Sequence, residues 1–107
     1  MRELEAWLHG QNGGIRTYLD FQRRCSELGQ QDPALAAFYL LLGTAAGRFI
    51  AFYDGEPLPV DVAQTSLARL RDLVARSING WFGSAEQKLA ILNDIATTDL
   101  TAEVTAA

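Results

Sequence analysis

The stretch from Pro33 to Tyr53, PALAAFYLLLGTAAGRFIAFY, constrains the fold more than any other part of the chain. It contains one charged residue, Arg48, and its apolar residues follow helical spacing on three adjacent rows. A helix that is apolar nearly all round has to be buried on most of its sides. The stretch therefore predicts a central helix around which the other elements pack.

A membrane-spanning helix is the alternative for this stretch, because about twenty residues rising 1.5 Å each reach across a hydrocarbon core of roughly 30 Å. The uncharged run from Ala34 to Gly47 is shorter than a typical span. Arg48 would then lie in the hydrocarbon at a cost of about 2.5 kcal/mol or more. Because the other predicted helices each have one apolar face that needs a buried partner, we expect a soluble bundle without membrane contact.

Glycine, proline and capping residues divide the rest of the chain into helices. The four glycines interpreted as helix ends are Gly10, Gly29, Gly55 and Gly80. Pro33 suits a first helical position, Ser84–Gln87 has the sequence of a capping box, and Asp61–Gln64 resembles one. The predicted helices are residues 2–9, 15–28, 33–53, 60–78 and a fifth that opens at Ser84.

The predicted fold class is all-α, a compact antiparallel bundle of four to five helices around the helix at residues 33–53. A chain of 107 residues is long enough for one domain, residues 1–107, with a core that needs no disulfide. The sequence from Thr97, TTDLTAEVTAA, has little to bury, and we expect this tail to fray.

Gly43 and Gly47 form a small-xxx-small pattern on the central helix, which allows close approach of another helix backbone. One interpretation is a dimer seam, and the other, favoured for a soluble protein, is a crossing with a helix of the same chain. Arg48 follows directly and shares a helical row with Thr44 and other less apolar residues. We expect Arg48 to be a surface residue that extends its guanidinium into water, in preference to a buried anion anchor.

Trp81 and Phe82 are two large aromatic residues between Gly80 and Gly83, at a predicted turn between helices. They allow two interpretations. In the first, both rings fold back and close the end of the bundle. In the second, they form an exposed anchor, because aromatic residues are enriched at the centres of protein interfaces. Trp81, Phe82, Gly43, Gly47 and Arg48 are therefore the candidate interaction residues.

Enzymatic and metal-dependent functions lack the residues that they need. Cys25 is the sole cysteine and His9 the sole histidine, so no multi-cysteine or histidine metal cluster can form and no cofactor is expected. Cys25 lies on the apolar face of the second helix, where a buried, inert thiol is expected. No acid–base pair or nucleophile is arranged along the chain. We therefore expect a protein that is not an enzyme.

The charge balance excludes direct nucleic-acid binding. Thirteen acidic residues oppose nine basic ones, and residues 54–107 carry eight acids against four bases. Nucleic-acid affinity comes largely from Lys and Arg contacts to phosphates, and no basic stripe is present. An acidic surface instead suits a protein partner with a basic surface. Low cysteine content and an N-terminus without the apolar run of a secretory signal indicate a cytoplasmic protein.

By this exclusion, the sequence favours a small acidic helical protein that acts by protein–protein interaction, as an assembly chaperone, adaptor, immunity factor or inhibitor of a larger machine. A homodimer is compatible with it. The alternative is a small-molecule binding bundle or a non-catalytic enzyme subunit. An internal pocket lined by Tyr39 and Phe49 would favour the small-molecule alternative, whereas a filled core with an exposed patch would favour protein binding.

Overall fold

The computed structural model describes residues 1–101 and is 79% helical. Its α-helices are α1 (Arg2–His9), α2 (Ile15–Gln31), α3 (Ala36–Phe52), α4 (Val60–Trp81) and α5 (Ala85–Thr97), with a 3₁₀ turn at Pro33–Leu35. No strand occurs among the described residues. The predicted all-α bundle around a central apolar helix is thereby confirmed.

The core is centred on the hairpin formed by α2 and α3, which pack against each other more extensively than any other pair. α5 and α4 also pack against α3, and α1 packs against α4 and α2. Tyr18 and Phe49 stack at 4.0 Å between ring centroids, and both are fully buried. Burying each such ring stabilises the fold by about 1.5–3 kcal/mol.

Two of the four glycines interpreted as helix ends lie inside helices. Gly10 ends α1 and Gly55 has a positive φ of 72° in the turn after α3, as expected for such ends. Gly29 lies within α2, and Gly80 within α4. A Cβ at Gly29 would lie 3.4 Å from Cβ of Tyr39, and one at Gly80 would collide with Ile91. These two glycines are places where a neighbouring helix comes close, and the prediction of helix ends there is wrong.

Of the two predicted capping boxes, the one at the start of α5 forms and the one at the start of α4 does not. At the start of α5, Ser84 Oγ accepts from Gln87 N at 3.2 Å, and Gln87 Oε1 accepts from Ser84 N at 2.7 Å, which confirms that box. At the start of α4, the N-cap residue is Pro59 and no side chain caps the helix. Asp61 is already inside the first turn, because Ala63 N donates to Pro59 O. The expected Asp61–Gln64 box is therefore absent.

The chain beyond α5 is held in place as far as the structure describes it. Leu100 is 2% exposed, and its carbonyl accepts a hydrogen bond from Ser66 Oγ at 2.9 Å. The sequence predicts a frayed tail from Thr97 onward. Up to residue 101 this is wrong, because the buried side chain of Leu100 and its hydrogen bond to Ser66 attach the segment to α4. The rest of the predicted tail, residues 102–107, lies outside the described residues.

One side of α3 remains uncovered. The segment Pro33–Phe52 is long and apolar enough to cross a membrane, as core helices of soluble proteins also are, and 44% of its apolar 18-residue window is buried inside the bundle. Leu40 is 69% exposed on this side, and Phe52, 64% exposed, lies elsewhere around the helix, at its C-terminal end. The neighbouring helices of this small bundle pack against the other sides of α3 and leave this one to solvent.

Candidate functional site

A groove of about 610 Å³ runs between α2 and α3 on the uncovered side of the hairpin. The α2 wall includes Gln22, Ser26 and Gln30, and the α3 wall includes Ala36, Ala37, Leu40 and Thr44. None of the residues that line the groove is charged. Charged residues make up 21% of the chain, and two other clefts of the structure are lined in part by them. The groove differs from those clefts in its uncharged lining.

Gly43 forms part of the groove at a close approach between α2 and α3. A Cβ at Gly43 would lie 3.3 Å from Cβ of Cys25, and one at Gly47 would lie 2.7 Å from Nε2 of Gln22. Both candidate glycines therefore face α2 of the same chain. The absence of a side chain at Gly43 keeps the two helices close and leaves space between their exposed edges.

The titratable groups at the groove are held neutral. Burial raises the pKa of the Cys25 thiol to about 12, and Cys25 is 2% exposed. Burial also raises the pKa of the Tyr39 phenol, and the Asp32 carboxylate adds to that effect. A protonated, buried thiol is a poor nucleophile. The groove can therefore offer shape, apolar contact and amide or hydroxyl hydrogen bonds, and it is not suited to nucleophilic chemistry.

The uncovered side of α3 continues beyond the groove as a row of small residues interrupted by one large one. The row, here called the outer stripe, contains Ala37, Leu40, Thr44, Gly47 and Ala51, spaced alternately by three and four. All but Gly47 are exposed, and Gly47 is half-buried. Thr44 Oγ1 donates to Leu40 O at 2.7 Å, so its hydroxyl is satisfied within the helix and its methyl group is free for contact.

Arg48 lies at the other edge of the outer stripe, toward α5. It is exposed, as expected of a surface residue, and Nη1 donates to Ala96 O at 3.2 Å. Ala96 is in the last turn of α5, where carbonyls lack helical partners and a positive charge is favoured. Arg48 thus connects α3 to the C-terminal end of α5, a role that the sequence pattern did not indicate.

Trp81 and Phe82, which the sequence treats as a pair, have different environments. Trp81 is half-buried, meets Phe38 edge to face at 6.1 Å between ring centroids, and carries Lys88 Nζ 4.4 Å from its ring. Phe82 is 74% exposed at the rim of a cleft of about 320 Å³. Trp81 matches the environment of a lid on the bundle end, whereas Phe82 has the exposure that an anchor needs.

The candidate residues of the sequence do not converge on one site. Gly43 lies in the groove, Gly47 and Arg48 lie along the outer stripe, and Trp81 and Phe82 lie at the bundle end. Sequence reasoning missed the groove and the exposure of Leu40, because it expected the apolar rows of the central helix to be buried. The signal that could have found it is the unusual set of small neighbours around Leu40, namely Ala36, Ala37, Gly43 and Thr44.

A small-molecule site is predicted to be an internal pocket lined by both Tyr39 and Phe49, and the structure does not bring these two residues to one pocket. Tyr39 lines the groove, but Phe49 is fully buried and stacked on Tyr18. Among residues 1–101, no group of three or more His, Cys, Asp or Glu residues is placed to hold a metal ion.

Comparison with known proteins identifies no relative. No protein-family model, no curated protein and no solved structure matches the chain. The function of the chain is therefore inferred from the groove between α2 and α3 and the residues around it.

Proposed function

We propose that this protein acts by protein–protein interaction and that the groove between α2 and α3 is its docking site. The observation that carries the proposal is Leu40, a leucine that is 69% exposed beside a groove without a charged lining residue. A side chain of this size gains about 1.5–3 kcal/mol when a partner buries it. Contiguous exposed apolar surface rimmed by polar residues is typical of an interaction site.

Electrostatics outside the groove supports a partner with a basic surface. Between Arg48 and Arg69 the chain carries three acids, Asp54, Glu56 and Asp61, and no base. All three are exposed, Asp54 and Glu56 in the connection from α3 to α4 and Asp61 in the first turn of α4. Such exposed charges mainly raise the association rate of a basic partner, which would contact them outside the groove. The proposal includes a cytoplasmic protein without catalytic activity, cofactor or nucleic-acid contact.

A small-molecule site is the second candidate, and the volume of the groove favours it. About 610 Å³ lies within the range of ligand pockets, roughly 300–1,000 Å³. Such pockets bury most of their ligand, however, and this groove is open to solvent along Leu40. The groove therefore suits an extended apolar surface better than an enclosed ligand.

The test compares capture by three immobilised proteins: the wild type, Leu40→Glu and the matched control Leu89→Glu. Leu89 is 60% exposed on α5 and is not part of the groove lining. A genuine partner from native cell extract should bind the wild type and Leu89→Glu. Its affinity for Leu40→Glu, measured with the purified partner, should fall about tenfold or more, which corresponds to at least 1.4 kcal/mol. Equal capture by all three proteins would show that the groove is not the docking site.

A further inference from the structure

We propose that the occupant of the groove is a second copy of this chain, in a symmetric dimer in which the outer stripes of two α3 helices pack against each other. This inference rests on the proposed function and names the partner. A symmetric two-fold interface uses the same patch on both copies, so the patch has to fit itself.

The shape of the patch meets that requirement. Leu40 projects from the outer stripe, and the groove beside it is bordered by the small residues Ala37 and Thr44 and contains Gly43. In an antiparallel pair, Leu40 of each copy can enter the hollow of the other. The alternating spacing of three and four along Ala37, Leu40, Thr44, Gly47 and Ala51 is the spacing that keeps two helices in contact along their length.

The charge distribution also favours a second copy. The chain has a formal net charge of −4, so two copies repel each other over most approaches. From Pro33 to Gly47 no residue is charged, and none lines the groove. Two acidic molecules can bury this surface without placing like charges together. A basic partner would find no carboxylate within the groove, whereas Asp54, Glu56 and Asp61 lie outside it and stay available to such a partner.

The size of the patch sets the expected affinity. α3 has 17 residues and is therefore about 25 Å long, and the α2–α3 pair presents a face about 20 Å wide. A standard interface buries about 800 Å² on each partner, roughly an eighth of the 6293 Å² surface of this chain. At about 25 by 20 Å, or roughly 500 Å², the patch is smaller than this and has the size of a weak or transient interface. We therefore expect a reversible dimer with a micromolar dissociation constant.

Sedimentation velocity between about 1 and 300 µM tests the dimer on the wild type, Leu40→Glu and Leu89→Glu. The wild type and Leu89→Glu should dimerise with the same dissociation constant, and Leu40→Glu should raise that constant about tenfold or more. Circular dichroism checks that both variants keep the wild-type melting temperature. A wild type that is monomeric over the whole range, or a dimer that Leu40→Glu leaves intact, would overturn the inference.

Cysteine cross-linking gives a second readout that does not depend on weakening the interface. Thr44→Cys places a thiol on the outer stripe, and Ala90→Cys places one on the exposed side of α5. Under mild oxidation the disulfide-linked dimer should form faster with Thr44→Cys than with Ala90→Cys. Equal rates would show that the outer stripes of the two copies do not pack against each other. Cys25 can stay in both variants because it is buried.

The same measurements separate this inference from the proposed function. A monomer that captures a different protein through Leu40 overturns the second copy as occupant and keeps the docking site. A monomer that floats with phosphatidylcholine vesicles instead overturns both, since the uncovered side of α3 would then contact lipid. A dimer that depends on Leu40 supports both.

Discussion

On the side of α3 that faces the core, Phe38, Leu42 and Phe49 are at most 3% exposed, whereas Leu40 on the opposite side is 69% exposed. Both sides carry large apolar residues. The difference lies in the neighbours, because α2, α4 and α5 all pack against α3 and none of them covers Leu40. An apolar side that the chain itself does not cover is available to a second chain, and this contrast supports the proposed docking site.

The sharpest test of the contrast uses two phenylalanines of the same helix. Phe49→Ala should lower the free energy of unfolding by about 3–5 kcal/mol, because it removes a fully buried ring stacked on Tyr18. Phe52→Ala should lower it by about 1 kcal/mol at most, since Phe52 keeps only an edge contact with Tyr53. Urea denaturation measures both. Equal losses would show that the C-terminal end of α3 at Phe52 is packed as closely as the core at Phe49.

The turn at the bundle end offers a second pair, Trp81 and Phe82. Trp81→Ala should cost about 2–3 kcal/mol of unfolding free energy, below the range for fully buried rings, because Trp81 is half-buried against Phe38. Phe82→Ala should change it by no more than about 0.5 kcal/mol. Thermal and urea unfolding report both values. A large loss for Phe82 with none for Trp81 would reverse the assignment of lid and exposed ring.

A third comparison concerns the floor and the rim of the groove. Gly43→Leu should destabilise the fold by about 1–3 kcal/mol, because even its Cβ would press against Cβ of Cys25 at 3.3 Å. Thr44→Leu, at an exposed position next along the chain, should change stability by about 0.5 kcal/mol or less. If Gly43→Leu unfolds like the wild type, Gly43 does not lie at a close crossing. If Gly43→Leu keeps wild-type stability but loses dimerisation, the close helix contact at Gly43 is between two copies and not within one chain.

Arg48 lies between the covered and the uncovered side of α3, and its substitution tests whether its guanidinium is at the surface. Arg48→Ala should lower the free energy of unfolding by about 0.5–1 kcal/mol, because the lost bond to Ala96 O is solvent-exposed. Arg23→Ala, which removes only exposed ion pairs on α2, serves as the control and should change it less. A loss above about 3 kcal/mol for Arg48 would indicate a buried guanidinium and contradict the surface position.

The smallest expected effect is the reactivity of Cys25. Its pKa is raised by burial to about 12, so below that pH the thiol stays protonated in the folded protein. Iodoacetamide at pH 8 should label it slowly in the native state and rapidly in denaturant, where its pKa is near 9. Mass spectrometry measures the two rates. Fast native labelling would mean that the groove opens down to Cys25.

Much of the fold was predictable because it depends on local patterns. Helical periodicity placed all five helices, and the Ser84–Gln87 box fixed the start of α5. The glycines show the limit of such patterns. Gly55 ends a helix and Gly80 accommodates Ile91, yet a glycine in the sequence looks the same whether it allows a positive φ or a close neighbour.

The sequence by itself determined that the chain is helical and that the segment around residues 33–53 joins the core. Only the tertiary structure decided which side of α3 is covered, that Trp81 and Phe82 separate into a packed and an exposed ring, and that Arg48 reaches the end of α5. The reason is physical. Periodicity and capping act within a few residues, whereas burial depends on which distant helices meet, and a helix apolar all round specifies no direction for its partners.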